Sequence, residues 1–187
     1  MSTSGAASPG TAVPAYTLSS TSPISTPFTW YPIQNLITTE KKWGGYFVIP
    51  PPPVTSPPTT YTTQVPLPLK PDVIGCAGCA KNDPGNGYDA GGITLQITAV
   101  SATSYVASCS LTIKVDGANT ITIDGGHFYA SFTPPRTFAP GQFPPAATVG
   151  LPGSEGGVVA QTAVVGGTPG GVIYLACHWG VTKCPGN

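Results

Sequence analysis

From Ile93 to Val100 the chain reads Ile-Thr-Leu-Gln-Ile-Thr-Ala-Val, apolar and polar residues alternating with a period of two. That is the pattern of a strand with one face on a core and one face in water. The alternation resumes over Tyr105–Val115. Leu111–Val115, the turn Asp116-Gly117-Ala118-Asn119 and Thr120–Ile123 together predict a β-hairpin, with Asp-Gly supplying the positive-φ turn. Phe128–Thr133, after Asp124-Gly125-Gly126, is a further strand, and Val158–Val165 and Val172–Cys177 supply two more beyond a Pro/Gly loop at 134–157. Six or so short strands joined by turn residues predict an all-β body over residues 72–187, a small antiparallel sandwich or barrel. About 115 residues suffice to bury an independent core.

Residues 1–71 read differently. They hold 14 of the 23 prolines, including Pro50-Pro51-Pro52-Pro53, and residues 1–39 carry no charge. Proline at this density disfavours helix and central strand and favours extended chain. The expectation is a long Pro/Thr-rich N-terminal arm. A loose solvated tail is poor in aromatics, yet Tyr16, Phe28, Trp30, Tyr31, Trp43, Tyr46, Phe47 and Tyr61 all lie here. They are expected to anchor the arm on a partner, as aromatic residues do at interface hot spots. Tyr46–Ile49 reads as a short strand able to pair with a sheet edge of another subunit. The proline runs near Ile49–Val54 and Val65–Leu69 read as stiff spacers.

Composition narrows the function. Seven basic and seven acidic residues leave no net charge, and only 7% of residues are charged, against about 25% in an ordinary soluble domain. Without a basic excess, binding driven by nucleic-acid phosphates is not expected. No run of 18 apolar residues exists to span a membrane as a helix. Met1–Ser20 has no Lys or Arg and no apolar stretch, so no secretory signal is expected there. A surface this weakly charged associates readily, which predicts a chain covered by neighbours in an assembly, homo-oligomeric or mixed.

Candidate chemistry is sparse. Cys76-Ala77-Gly78-Cys79 has the spacing for two thiolates on one metal, and Cys177, His178 and Cys184 would complete a closed structural zinc site if the C-terminus folds back. The alternatives are disulfides, for example Cys177 with Cys184, or free thiols, the odd count of five arguing against a full disulfide framework. Cys109 falls within a strand and reads as a small core residue. Asp83–Asp89 has oxygen-rich spacing but lacks the terminal Glu of a calcium loop and reads as a turn. His127 and His178 are the only histidines, no G-x-S-x-G elbow occurs, and the glycine pairs open no P-loop. No catalytic constellation emerges, so an enzyme is not expected.

Small size, the β body and the Pro/Thr-rich arm with its aromatics resemble the decoration, or cement, proteins of tailed-bacteriophage capsids. The resemblance implies a virion protein assembled in the host cytoplasm. It would sit on the outer capsid surface, bind the major capsid protein or other virion subunits, and stabilise the shell. Two other readings stay open: a surface or secreted binding module (an adhesin or carbohydrate-binding β domain), and a zinc-stabilised β adaptor.

Overall fold

A computed structural model of the chain describes residues 16–18, 28–41, 44–64, 76–78, 87–115, 117, 119–143, 147–149, 153–154 and 156–185. Thirteen strands lie among them: β1 (Tyr16–Leu18), β2 (Phe28–Pro32), β3 (Gly45–Ile49), β4 (Thr60–Gln64), β5 (Cys76–Ala77), β6 (Tyr88–Asp89), β7 (Gly91–Ser101), β8 (Ser104–Ile113), β9 (Asn119–Ser131), β10 (Ala147–Val149), β11 (Gly153–Ser154), β12 (Val158–Val164) and β13 (Ile173–Pro185). The fold is all-β and antiparallel. A six-stranded sheet runs β1-β2-β3-β13-β9-β11, a five-stranded sheet runs β10-β12-β8-β7-β4, and β5 and β6 form a small ribbon.

The two large sheets pack face to face as a sandwich, because both carry period-two patterns whose apolar sets need the same interior. Leu95, Ile97, Leu111 and Ile113 of one sheet and Ile49, Ile121, Ile123, Phe128, Ile173 and Leu175 of the other are all buried in one core. The alternation expected at Ile93–Val100 is that of β7, buried at every second residue.

The boundary expected at residue 71 lies outside the described residues, but residues 28–64 before it are no separate arm. β2 and β3 stand inside the six-stranded sheet, with β3 between β2 and β13, and β4 pairs with β7 in the other sheet. The prolines do not prevent this, because they sit where ladders end. Pro32 closes β2, Pro50 follows β3, and the four-proline run lies in the crossover between β3 and β4. A proline at the last position of a strand removes no central ladder bond.

Two expected connections are also corrected. Leu111–Val115 and Thr120–Ile123 do not form a hairpin: β8 pairs with β7 and β12, whereas β9 pairs with β13 and β11 in the opposite sheet. The chain crosses between layers here, and both strands still turn alternate residues toward the one core. Asp124-Gly125-Gly126 is no turn between strands but lies within the 13-residue β9. The ladder with β13 shifts register there, at Gly180/Val181. That is a β-bulge, an extra residue bending a long strand without ending it.

Candidate functional site

The eight aromatics expected to grip a partner are for the most part spent inside the molecule. Phe28, Trp30, Phe47 and Tyr61 belong to the main core, and Tyr46 to a second cluster. Tyr31 is half-buried against that second cluster. Tyr16 stands opposite Trp30 in the β1–β2 ladder, and Trp43 lies outside the described residues. β3, expected to add to a foreign sheet edge, already has a neighbour on each side.

The second cluster covers the outer face of the six-stranded sheet. Residues alternate along β3 and β13, so Tyr46 and Ala176 point away from the main core. Over them fold a 3-10 turn at Ile33–Asn35 and the segment carrying Phe138 and Phe143. Tyr46 stacks on Tyr31 at 5.7 Å between ring centres, and burial, reinforced by Tyr174 and Tyr31, pushes its phenol pKa up to about 12. Gly44 adopts φ 123°, open to glycine and strained for other residues, and a Cβ there would overlap the Phe138 ring.

The outer face of the five-stranded sheet has no such cover among the described residues. Its outward positions are Thr94, Gln96, Thr98 and Val100 on β7, then Val106, Ser108, Ser110 and Thr112 on β8. Val158, Ala160, Thr162 and Val164 continue it on β12. No Asp, Glu, Lys or Arg occurs in any of these three strands. Val100, Val158 and Val164 are each more than half exposed. Several polar groups bond across neighbouring strands: Thr60 with Thr98 at 2.8 Å, Ser108 to Gln96 Oε1 at 3.5 Å, and Ser110 to the Thr94 carbonyl at 3.4 Å. The three strands present a face without charge. The nearest ion pair, Lys114 with Asp89 at 3.4 Å, lies just beyond the end of β8.

The cysteines resolve one of the open alternatives. Cys109 in β8 and Cys177 in β13 form a disulfide between the two sheets, their Cα atoms 6.5 Å apart. Cys109 is thus more than a small core residue, and Cys177 pairs with it rather than with Cys184. The bond also removes Cys177 from the zinc set of Cys76, Cys79, Cys177 and Cys184, since a disulfide sulfur offers no thiolate. Cys184 is exposed and outside any disulfide, Cys76 lies in β5, and Cys79 falls outside the described residues. Among the described residues no three His, Cys, Asp or Glu side chains gather to hold a metal ion. The sequence signal for the Cys109–Cys177 pair was only that both fall on inward positions of apolar strands.

Beside the disulfide lies a polar element that residue spacing did not reveal. Gln161, inward on β12 and opposite Cys109 in the ladder, is fully buried, and its Nε2 donates across the interior to the His178 carbonyl at 3.1 Å. A Cβ at Gly126 would overlap the Gln161 amide, so glycine in the bulge makes room for this bond. On the outer side of the same strands His127 and His178 stand opposite one another, ring centres 6.1 Å apart. Burial first, and the facing His127 second, hold the His178 pKa below its ordinary 6.5. Asp89 of the acidic loop accepts from Gly91 N–H at 3.0 Å and pairs with Lys114, a turn-and-strand role; Asp83 lies outside the described residues. No described helix is long and apolar enough to cross a membrane.

No family model matches the chain, and no curated protein or solved structure is significantly similar to it.

Proposed function

We propose that this protein is a structural subunit of a virion surface, a capsid decoration protein that lays the outer face of its five-stranded sheet on the shell. The observation that carries this reading is the absence of any Asp, Glu, Lys or Arg along β7, β8 and β12. Soluble β proteins keep charges, lysine above all, on exposed sheet surfaces and edges to prevent association. A face built from Thr, Ser, Gln and Val costs less to desolvate than a charged one, and Thr98, Ser108 and Ser110 already bond within the sheet. Each Å² of apolar area covered there contributes about 25 cal/mol, and repetition over a symmetric shell multiplies a modest contact by avidity. The role of strap moves from the aromatics, which serve the core, to this face. The inter-sheet disulfide suits the oxidising exterior of a particle.

A second reading is favoured by that same disulfide: a secreted or cell-surface β module, which expects a dispersed monomer in place of a particle-bound one. Density-gradient fractionation of particles from producing cells separates the two. Co-migration of the wild-type chain with particles, and its loss in Thr98→Lys/Ser108→Lys/Thr162→Lys, is the expected result. A chain found only as a free monomer overturns the virion reading, and co-migration unaffected by the three lysines overturns the choice of face.

A further inference from the structure

We propose that His127 and His178 form a two-imidazole site for a borderline divalent transition metal ion on the outer face of the six-stranded sheet. The two residues are direct partners in the β9–β13 ladder, so that ladder holds their side chains next to each other. Imidazole nitrogen binds such metals at about 2.0–2.1 Å, which places two rings sharing one ion roughly 5–6 Å apart between centres. Their 6.1 Å separation and 38° interplanar angle lie within small side-chain rotations of that arrangement.

Three features make the pair more than two neighbouring surface rings. The His178 carbonyl is bonded from the interior by the buried Gln161 amide, which ties this residue to the second sheet as well as to its own ladder. Toward the bulge, the next pair on the same face is Gly125 with Gly180, and a Cβ at Gly125 would meet nothing within 4 Å. The surface beside the rings is therefore open, with room for water to complete the coordination of a bound ion. Both side chains are exposed, so an ion from solution reaches them without any rearrangement of the fold.

With no group of three ligating side chains here, the site holds its ion through two protein nitrogens and solvent. That makes it exchangeable, unlike a closed structural zinc centre. Imidazole ligands favour nickel, copper and zinc over calcium or magnesium. The site faces away from the surface assigned to the shell, so its failure leaves the proposed function untouched.

The test is calorimetric titration of the intact chain with Ni²⁺, beside imidazole NMR. Ni²⁺ is chosen because thiolates compete less for it than for zinc. Cys184→Ser serves as control, since Cys184 lies six residues, about 20 Å, along β13 from His178. One Ni²⁺ per chain is expected, with broadening of both the His127 and His178 ring signals. His127→Asn and His178→Asn should each weaken binding by on the order of 10–100-fold, and Cys184→Ser should leave it unchanged. No saturable binding to the wild type, or wild-type affinity retained in His127→Asn/His178→Asn, overturns the proposal.

Discussion

The two outer faces of the sandwich solve the same problem in opposite ways. On the six-stranded sheet, outward Tyr46 and Ala176 are roofed by Ile33, Phe138 and Phe143, so the chain supplies its own second layer. On the five-stranded sheet the described outward positions of β7, β8 and β12 are left to Thr, Ser, Gln, Val and Ala, with some hydroxyls bonded across strands and no charge in these strands. A padded face is closed to partners because removing the padding exposes aromatic surface. The other face has no such padding among the described residues, and under the proposed function it is the one that meets the shell. Where a low-charge protein keeps its bare side tells more about its partner than the number of aromatics it carries.

That contrast can be broken or sharpened by experiment. The largest effect is expected where the layers are joined. Cys109→Ala/Cys177→Ala removes a cross-link spanning 68 residues, worth about 4 kcal/mol by the chain-entropy account, and urea unfolding should show the loss. If the midpoint does not move, the sheets are held by packing alone. Next, Phe143→Ala should cost about 3 kcal/mol, because Phe143 is buried against Phe138 and Tyr129. An unchanged thermal midpoint would mean the roof is ornamental and both faces are open. Smallest is the stability effect of Thr98→Lys/Ser108→Lys/Thr162→Lys, expected to stay within about 0.5 kcal/mol per site, as measured by the same urea titration. A larger loss would show that the hydroxyl bonds hold the fold and are not merely part of a contact surface.

Much of this architecture is readable from alternation alone, because a half-buried strand must repeat every two residues whatever its partner. β7, β8 and β12 are legible in that way. Partner choice is not, since Leu111–Ile113 and Thr120–Ile123 present the same pattern whether paired with each other or in opposite layers. Asp124-Gly125-Gly126 carries the residues of a turn, and only the resumption of the β13 ladder beyond a register shift makes it a bulge. Residues 28–64 mislead for a related reason: proline density averages over a window, while strand formation depends on which few positions are proline-free. Phe28-Thr29-Trp30-Tyr31 and Gly45–Ile49 are such gaps. The disulfide and the paired histidines depend on contacts between distant strands, one across the sheets and one along a ladder, and neither distance is written in residue spacing.

The 109–177 link also decides what a protease can do to this protein. It encloses β9, β10, β11 and β12 in a single covalent ring. A single cut between Cys109 and Cys177 therefore severs the backbone without releasing a piece. The two fragments stay covalently joined, separating on a gel only after reductant.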